Sequence, residues 1–333
     1  MNAQKPLSLV TGATGFVGAA VARALQERGY PLRLLVRKNA NRQNLKNLDA
    51  EIVEGDLNDP ASLRKAMLGV GALFHVAADY RLWVPNPSQM NRINIEGTRN
   101  IIKEALKEKV TKIVYCSSVA TMPTALNGRP TIETDIVTEA KIVGAYKRSK
   151  YHAEQEVLRM VREEKAPVVI VNPSTPIGRG DIKPTPTGQV IFDCVRGKMP
   201  AYVETGLNVV DVDDVGLGHV LAFEKGRIGE RYILGGEDIK LGDLFSLVAR
   251  KAGVKAPVWR LNPDWLYPFA IFSELFARIS GKTPRLHRDT LTMAKKIMYF
   301  SSSKARKELG YNPVSAEQAV TSAVQWFQKF KQL

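Results

Sequence analysis

The sequence predicts a doubly wound α/β protein: a parallel sheet with helices on both faces and a smaller, interwoven C-terminal α/β lobe. Three observations predict it. Short β-rich runs alternate with helical stretches through the first half, several of these runs are nearly continuously apolar, and a glycine-rich turn joins the first run to the first helix. Strands separated by helices need crossover connections, which are right-handed and build parallel sheets. A strand covered on both faces loses the alternation of a half-solvated one, as LFHVA at 73–77 and KIVYC at 112–116 do.

Strands are expected at 7–11, 32–36, 52–54, 73–76, 113–116 and 168–171, with the first helix at 16–28. After Asn172 the alternation stops. Pro173, Pro176, Pro184 and Pro186 crowd together with Gly178, Gly180 and Gly188, which makes a loop. Helices and short strands follow at 189–198, 214–225, 231–234, 241–252, 264–279, 303–309 and 315–330, so the chain divides into a sheet domain at 1–172 and a lobe at 173–333, with some segments returning to the first. Asp214 is expected to cap its helix, and Pro268 to make the 264–279 helix start irregularly or kink.

With 333 residues, 44% hydrophobic and 24% charged, the chain has enough material for one large domain or two intimate ones. No apolar run reaches the roughly 18 residues that span a bilayer, and the first eight residues lack the apolar core of a secretion signal, so a cytoplasmic protein is expected. Cys116 and Cys194 supply neither a disulfide framework nor metal-ligand spacing; they read as small core hydrophobes, and no metal is expected. The balance of 48 basic and 33 acidic residues gives +15, which suits phosphorylated ligands, an anionic membrane or nucleic acid. Nucleic acid is set aside, because no helix-turn-helix, RNP or zinc pattern accompanies the charge. Residues 251–310 hold 12 Lys/Arg against 4 Asp/Glu.

The turn Thr11-Gly12-Ala13-Thr14-Gly15-Phe16-Val17-Gly18 lies between a strand and a helix, where glycines let the backbone approach a pyrophosphate at the helix N-terminus. Gly12, Thr14, Gly15, Phe16, Val17 and Gly18 are therefore candidate dinucleotide contacts, although the spacing is GxxGxxG. About 20 residues on, where a carboxylate would grip an adenosine ribose, the chain has Arg37, with Lys38 and Arg42 nearby. A guanidinium fork suits a 2′-phosphate, so NADP(H) is favoured over NAD(H); the alternative is a solvated basic loop. Asp56 could accept from the adenine amino group or simply form a turn. Tyr146 and Lys150 are four apart, on one helix face, and the ammonium is expected to lower the phenol from its ordinary value of about 10. Ser118, just past a strand, could bind a substrate carbonyl, with Ser117 as the alternative.

On these motifs, together with Asp56-Leu57, HVAA at 75–78, NIEGT at 94–98, CSS at 116–118 and Asn172-Pro173-Ser174, the chain resembles the extended short-chain dehydrogenase/reductases over essentially its whole length. The resemblance implies a Rossmann-type sheet domain that binds the dinucleotide, with the second lobe mainly for substrate. It adds Leu57, Ala77 and Ala78 to the cofactor contacts, makes Asn94 the support of a proton relay, and puts Pro173 and Ser174 beside the nicotinamide. It also implies a homodimer through the helices at 94–108 and 147–163. HVAADYRLW at 75–83, NPSTPIGRGDIKPTPTG at 172–188 and RYILGGED at 231–238 are similar to the hopanoid-associated sugar epimerase subfamily, whose substrate would be a bacterial triterpenoid lipid or its sugar-derived side chain. Dihydroflavonol reductases share the basic position of Arg37. In the second lobe Asp211 stands where the family more often has an aromatic residue or His.

The set implies hydride exchange at a carbinol or carbonyl carbon: Ser118 orients the oxygen, Tyr146 exchanges the proton, and Lys150 tunes Tyr146 and holds the ribose. Carbonyl reduction is the first expectation, a sugar epimerase the second, and a non-catalytic NADP(H) sensor the third. Survival of Tyr146 and Lys150 opposes the sensor, and Val119-Ala120-Thr121 lacks the extra acid/base pair of a dehydratase. Asp79, Tyr80 and Trp83 are candidate substrate contacts, with core packing the alternative for Trp83. Arg179, Lys183 and Arg227 could read a diphosphate or be solvated. The run Trp265–Phe272 with Leu275, Phe276 and Ile279, flanked by Lys282, Arg285, Arg288, Lys295 and Lys296, reads as a buried helix or substrate lid first, and as a helix lying on an anionic bilayer second.

Overall fold

The computed structural model describes residues 4–330 apart from 82, 85, 126, 127, 281–283, 285 and 287. Lys282 and Arg285 thus lie outside the described residues, as does the side chain of Ile279. The first half runs β1 (Ser8–Thr11), α1 (Phe16–Glu27), β2 (Leu32–Val36), β3 (Glu51–Glu54), α2 (Pro60–Met67), β4 (Ala72–His75), α3 (Pro87–Asn91), α4 (Gly97–Lys107), β5 (Lys112–Cys116), α5 (Ala145–Glu164) and β6 (Val168–Pro173). Then come β7 (Thr175–Ile177), α6 (Pro186–Val195), β8 (Ala201–Val203), β9 (Gly206–Asp211), α7 (Val212–Lys225), β10 (Arg231–Leu234), β11 (Glu237–Lys240), α8 (Leu241–Ala252), β12 (Trp259–Leu261), α9 (Tyr267–Ser280), α10 (Arg288–Ala294), α11 (Ser303–Leu309) and α12 (Ala316–Phe330).

Seven parallel strands form the main sheet in the order β10-β6-β5-β4-β1-β2-β3. The apolar runs explain its two-sided burial. In β4, Leu73 packs into the core shared with α2, α4 and α5, while Phe74 enters the one shared with α1 and α7; in β5, Ile113 and Val114 divide in the same way. Each such side chain, removed from water, contributes roughly 1.5–3 kcal/mol. A third core under α6, α8 and α12 belongs to the later segments. α7 and β10 return to the main sheet, α7 against α1 and β10 beside β6.

The chain order reverses between β1 and β4, and at such a point the carboxyl ends of the strands leave a crevice. The candidate site lies there. One local expectation is corrected and another is borne out. The cap of α7 is Asp211, whose carboxylate accepts from the Asp213 N–H; Asp214 instead accepts from Val314 N–H, because one residue can occupy the cap position and the helix starts two residues earlier than expected. The helix expected at 264–279 begins with a 3-10 turn, Pro263–Leu266, and Pro268 falls in the first turn of α9, where its missing N–H has no helical acceptor to lose. Among the described residues no helix is long and apolar enough to cross a membrane.

Candidate active site

The turn after β1 uses its glycines differently. Gly12 has φ +76°, and a Cβ there would stand 2.7 Å from the Ala77 nitrogen. A Cβ on Gly18 would stand 2.2 Å from the Gly12 carbonyl oxygen, so α1 can tuck under the turn only through a glycine. Gly15 donates its N–H to that same carbonyl at 2.9 Å and precedes α1, and a Cβ on it would meet only this oxygen, at 3.2 Å. Its outer side stays open at a helix N-terminus, where the first-turn N–H groups of Phe16, Val17 and Gly18 have no helical acceptor. Thr14 is fixed from behind: the Asn44 amide donates to its carbonyl and, at 3.0 Å, to that of Gly180.

Buried hydrogen bonds lock the neighbouring loop. Thr11 Oγ1 accepts from the Val76 and Ala77 N–H groups and faces His75 Nδ1 at 2.8 Å, while His75 Nε2 faces Thr98 Oγ1 at 2.9 Å. The Thr98 hydroxyl donates to the Asn94 carbonyl, so it must accept from His75 Nε2–H, and Nδ1 must accept from Thr11. Burial holds the His75 pKa down at about 3, with the Lys150 charge acting in the same direction. Asn94 lies in a π-helical turn, Arg92–Glu96, between α3 and α4. Its Oδ1 accepts from Asp79 N–H, and its Nδ2 donates to the Asp79 carbonyl and to Ser149 Oγ, which donates to the Tyr146 carbonyl. One amide therefore ties the loop after β4 to the helix that carries Tyr146.

Ser118 Oγ accepts from Ala120 N–H, which leaves its own hydrogen free to donate, and it lies beside the Tyr146 phenol. The loop holding it is pinned from below, since Asn172 Nδ2 donates to the Ser118 carbonyl and to Glu154, and Glu154 is also bound by Thr121 and Arg231. Sequence reasoning missed Glu154 and Thr11; their signal is geometric, a polar side chain at the end of a buried strand or inside the buried face of α5. Lys150 departs from expectation. Its ammonium donates to the Cys116 carbonyl at 2.8 Å and to Tyr115 Oη at 3.2 Å. Tyr146 is correspondingly not lowered: burial pushes it up to about 12, with Ser118 acting in the opposite direction.

Arg37 follows β2 at the carboxyl end of the sheet, exposed, and its guanidinium makes no hydrogen bond or ion pair within the described residues. Its charge reaches Asp79. Lys38 is exposed beside it. Arg42 is taken up by Glu54, and Asp56 Oδ1 accepts from the Asn58 N–H and amide, the turn alternative. Leu57 is buried against Gly97, and Ala77 and Ala78 are half-buried. Asp79 holds Arg81, which with hydrogen bonds keeps its carboxyl below the usual range against the effect of burial. Tyr80 is exposed and Trp83 half-buried. Of the three basic residues suggested for a diphosphate, Arg179 pairs with Asp213, and Arg227, just before β10, lies at the opposite end of the sheet and pairs with Glu308. Strand polarity takes Arg227 away from the site.

The residues present fit a dinucleotide. An open helix N-terminus, a loose arginine beyond β2, and the buried hydroxyls of Ser117 and Ser174, neither with a partner among the described residues, converge at the strand ends. Residues 8–235 match the NAD dependent epimerase/dehydratase family. The chain belongs to that family. This epimerase/dehydratase-family chain is 45% identical over 324 residues (96% of the chain, 94% of the relative) to a Synechocystis sp. protein provisionally named dihydroflavonol 4-reductase. It is 32% identical over 325 residues (97% and 98%) to sterol demethylase protein B of Methylococcus capsulatus. Among solved structures, gox2253 superposes with a TM-score of 0.89 at 59% identity, over 99% of this chain and 100% of that one. The family member is an NAD(P)-dependent enzyme of the oxidoreductase/epimerase type.

Proposed function

We propose that this enzyme reduces a carbonyl on a terpenoid-lipid or sugar-derived substrate with NADP(H), in hopanoid biosynthesis. The observation that carries the reading is the Ser118–Tyr146 pair at the carboxyl end of β5, with a Ser118 hydroxyl hydrogen free to donate beside the phenol. A phenol held protonated at neutral pH is an acid, the state that carbonyl reduction consumes. When bound, the nicotinamide dinucleotide supplies a hydride to the carbonyl carbon. Gly12, Thr14, Gly15, Phe16, Val17 and Gly18 would hold its pyrophosphate, Arg37 and Lys38 its 2′-phosphate, Leu57, Ala77 and Ala78 the adenosine side and the walls, and Pro173 and Ser174 the nicotinamide side.

The chain's own chemistry is then a proton transfer. Ser118 donates to the carbonyl oxygen, so negative charge developing there meets a positioned hydrogen. Tyr146 hands its proton to that oxygen, and Lys150, one turn further along α5, would turn from the Cys116 carbonyl and Tyr115 Oη to stabilise the resulting phenolate and bind ribose hydroxyls. Asn94 keeps this helix and the Asp79 loop in register, and Asp79, Tyr80 and Trp83 line the substrate side. The division into a dinucleotide domain at 1–172 and a mainly substrate-binding lobe at 173–333, and a dimer through α4 and α5, belong to the same proposal. A relative named for sterol demethylation supports a polycyclic terpenoid.

The family description also covers epimerases. An epimerase starts by oxidising an alcohol and needs Tyr146 as a base first; the exposed Arg37, placed to meet the 2′-phosphate of NADPH, favours reduction instead. Replacing Tyr146 by Phe separates these ideas from a sensor. Turnover of NADPH with a carbonyl substrate should fall by roughly 10²–10⁴-fold, while NADPH binding, read by fluorescence quenching, persists. Unchanged turnover would overturn the mechanism.

A further inference from the structure

α9 is built inside out. Its small residues Ala270 and Ala277 are buried, while Phe269 (68% exposed), Phe272 (72%), Leu275 and Phe276 point into solvent, and Trp265 (72%) continues the exposed face into the preceding turn. A monomeric soluble protein rarely leaves such a contiguous apolar face uncovered. The reading of this segment as a buried helix is thereby corrected: alanines at i and i+7 give α9 a surface that packs closely inward, and Phe269, Ile271, Phe272, Leu275 and Phe276 are left outside.

The helix also has a defined relation to the candidate site. Arg288 of α10 binds Glu274 of α9, and Tyr267 Oη meets Thr292 Oγ1 at 2.9 Å. On its other side α10 touches the start of α5: Lys147 Nζ is 3.3 Å from the Met293 sulfur, and a Cβ on Gly144 would stand 3.3 Å from Asp289 Oδ2. Lys147 adjoins Tyr146. From outside to inside, then, the order is the apolar face of α9, α10, and the helix carrying the proton donor.

Charge selects the occupant. Residues 255–296 carry eight Lys/Arg and three Asp/Glu. Two of those acids, Asp264 and Glu274, are bound by Lys295 and Arg288, and Lys255 and Arg260 are exposed. Aromatic bulk exposed on a segment with this excess of basic residues is what an interfacial helix presents to anionic headgroups. We propose that α9 and the turn before it dock the enzyme on an anionic bilayer, with the Trp265–Phe276 face in the headgroup region and the substrate site opening towards the lipid. Docking stands on this geometry alone; that it serves substrate entry rests on the terpenoid-lipid reading above.

Flotation of the full chain with phosphatidylcholine vesicles, with and without phosphatidylglycerol, tests it without cofactor or substrate, so its failure is separate from failure of the reductase reading. The protein should float with the anionic vesicles at low salt, roughly tenfold less with phosphatidylcholine alone, and less at high salt. The Phe269→Ser/Phe272→Ser double variant should lose flotation at an unchanged melting temperature, both sites being exposed. A blue shift of tryptophan fluorescence on vesicles should disappear in Trp265→Ala. Equal flotation of the double variant, no binding of the wild type to anionic vesicles, or a concentration-dependent dimer dissolved by the same variant would overturn the proposal, the last showing that a second copy covers the face.

Discussion

In the proposed reading, Arg37 is the residue on which cofactor choice turns. It stands one position beyond β2, exposed, and its guanidinium has no hydrogen-bonding partner among the described residues, whereas Arg42 is held by Glu54. A guanidinium on a phosphate is worth about 1.5–3 kcal/mol, so Arg37→Glu should raise the KM for NADPH roughly 10–100-fold and leave NADH unchanged or improved. An equal loss with both cofactors, in steady-state titrations, would remove the phosphate from the argument. This position was legible because a strand end is a local feature. The state of Tyr146 was not. Spacing alone places Lys150 on its helix face, but the ammonium turns to the Cys116 carbonyl and Tyr115, and burial, a property of the folded whole, sets the phenol at about 12.

At the scale of elements, the strands could be read because their apolar residues divide between two covered faces, and β2 and β10 fall where expected at 32–36 and 231–234. The π-helical turn that aims Asn94, and the exposure of α9, could not, since each depends on what packs against a helix. The end of β4 yields a test. His75, neutral and bonded at both ring nitrogens, is depressed to about 3 by burial. Below pH 6.5 the unfolded chain binds a proton there that the folded chain refuses, so stability present above that pH is lost as the pH falls towards 3. His75→Gln removes the titration. In urea unfolding the wild type should be the more stable at pH 7, and its advantage should shrink by roughly 1.4 kcal/mol per pH unit between 6.5 and 4. A constant difference would mean that His75 is already protonated when folded.

For the whole molecule, the question is whether sheet and lobe respond together. α1 lies flat against α7, and a Cβ on Gly216 of α7 would stand 2.5 Å from the Ala20 carbonyl oxygen of α1. Asp213 of α7 accepts from both Arg23 and Arg179, while Asn44 links the Thr14 and Gly180 carbonyls. The helix whose N-terminus would meet the pyrophosphate is thus clamped between the main sheet and the segment after β7. A ligand there restrains both parts. At a concentration 100 times its Kd it stabilises the fold by about 2.7 kcal/mol, which for a chain of this size raises Tm by roughly 4 °C. Calorimetry should show one transition that moves as a unit with NADPH, and a smaller shift with NADH at equal concentration, since the loss of one phosphate contact lowers the occupancy term. Two transitions of which only the first moves would show that the lobes melt independently despite the clamp. Equal shifts with both dinucleotides would leave the clamp intact and take the 2′-phosphate away from Arg37.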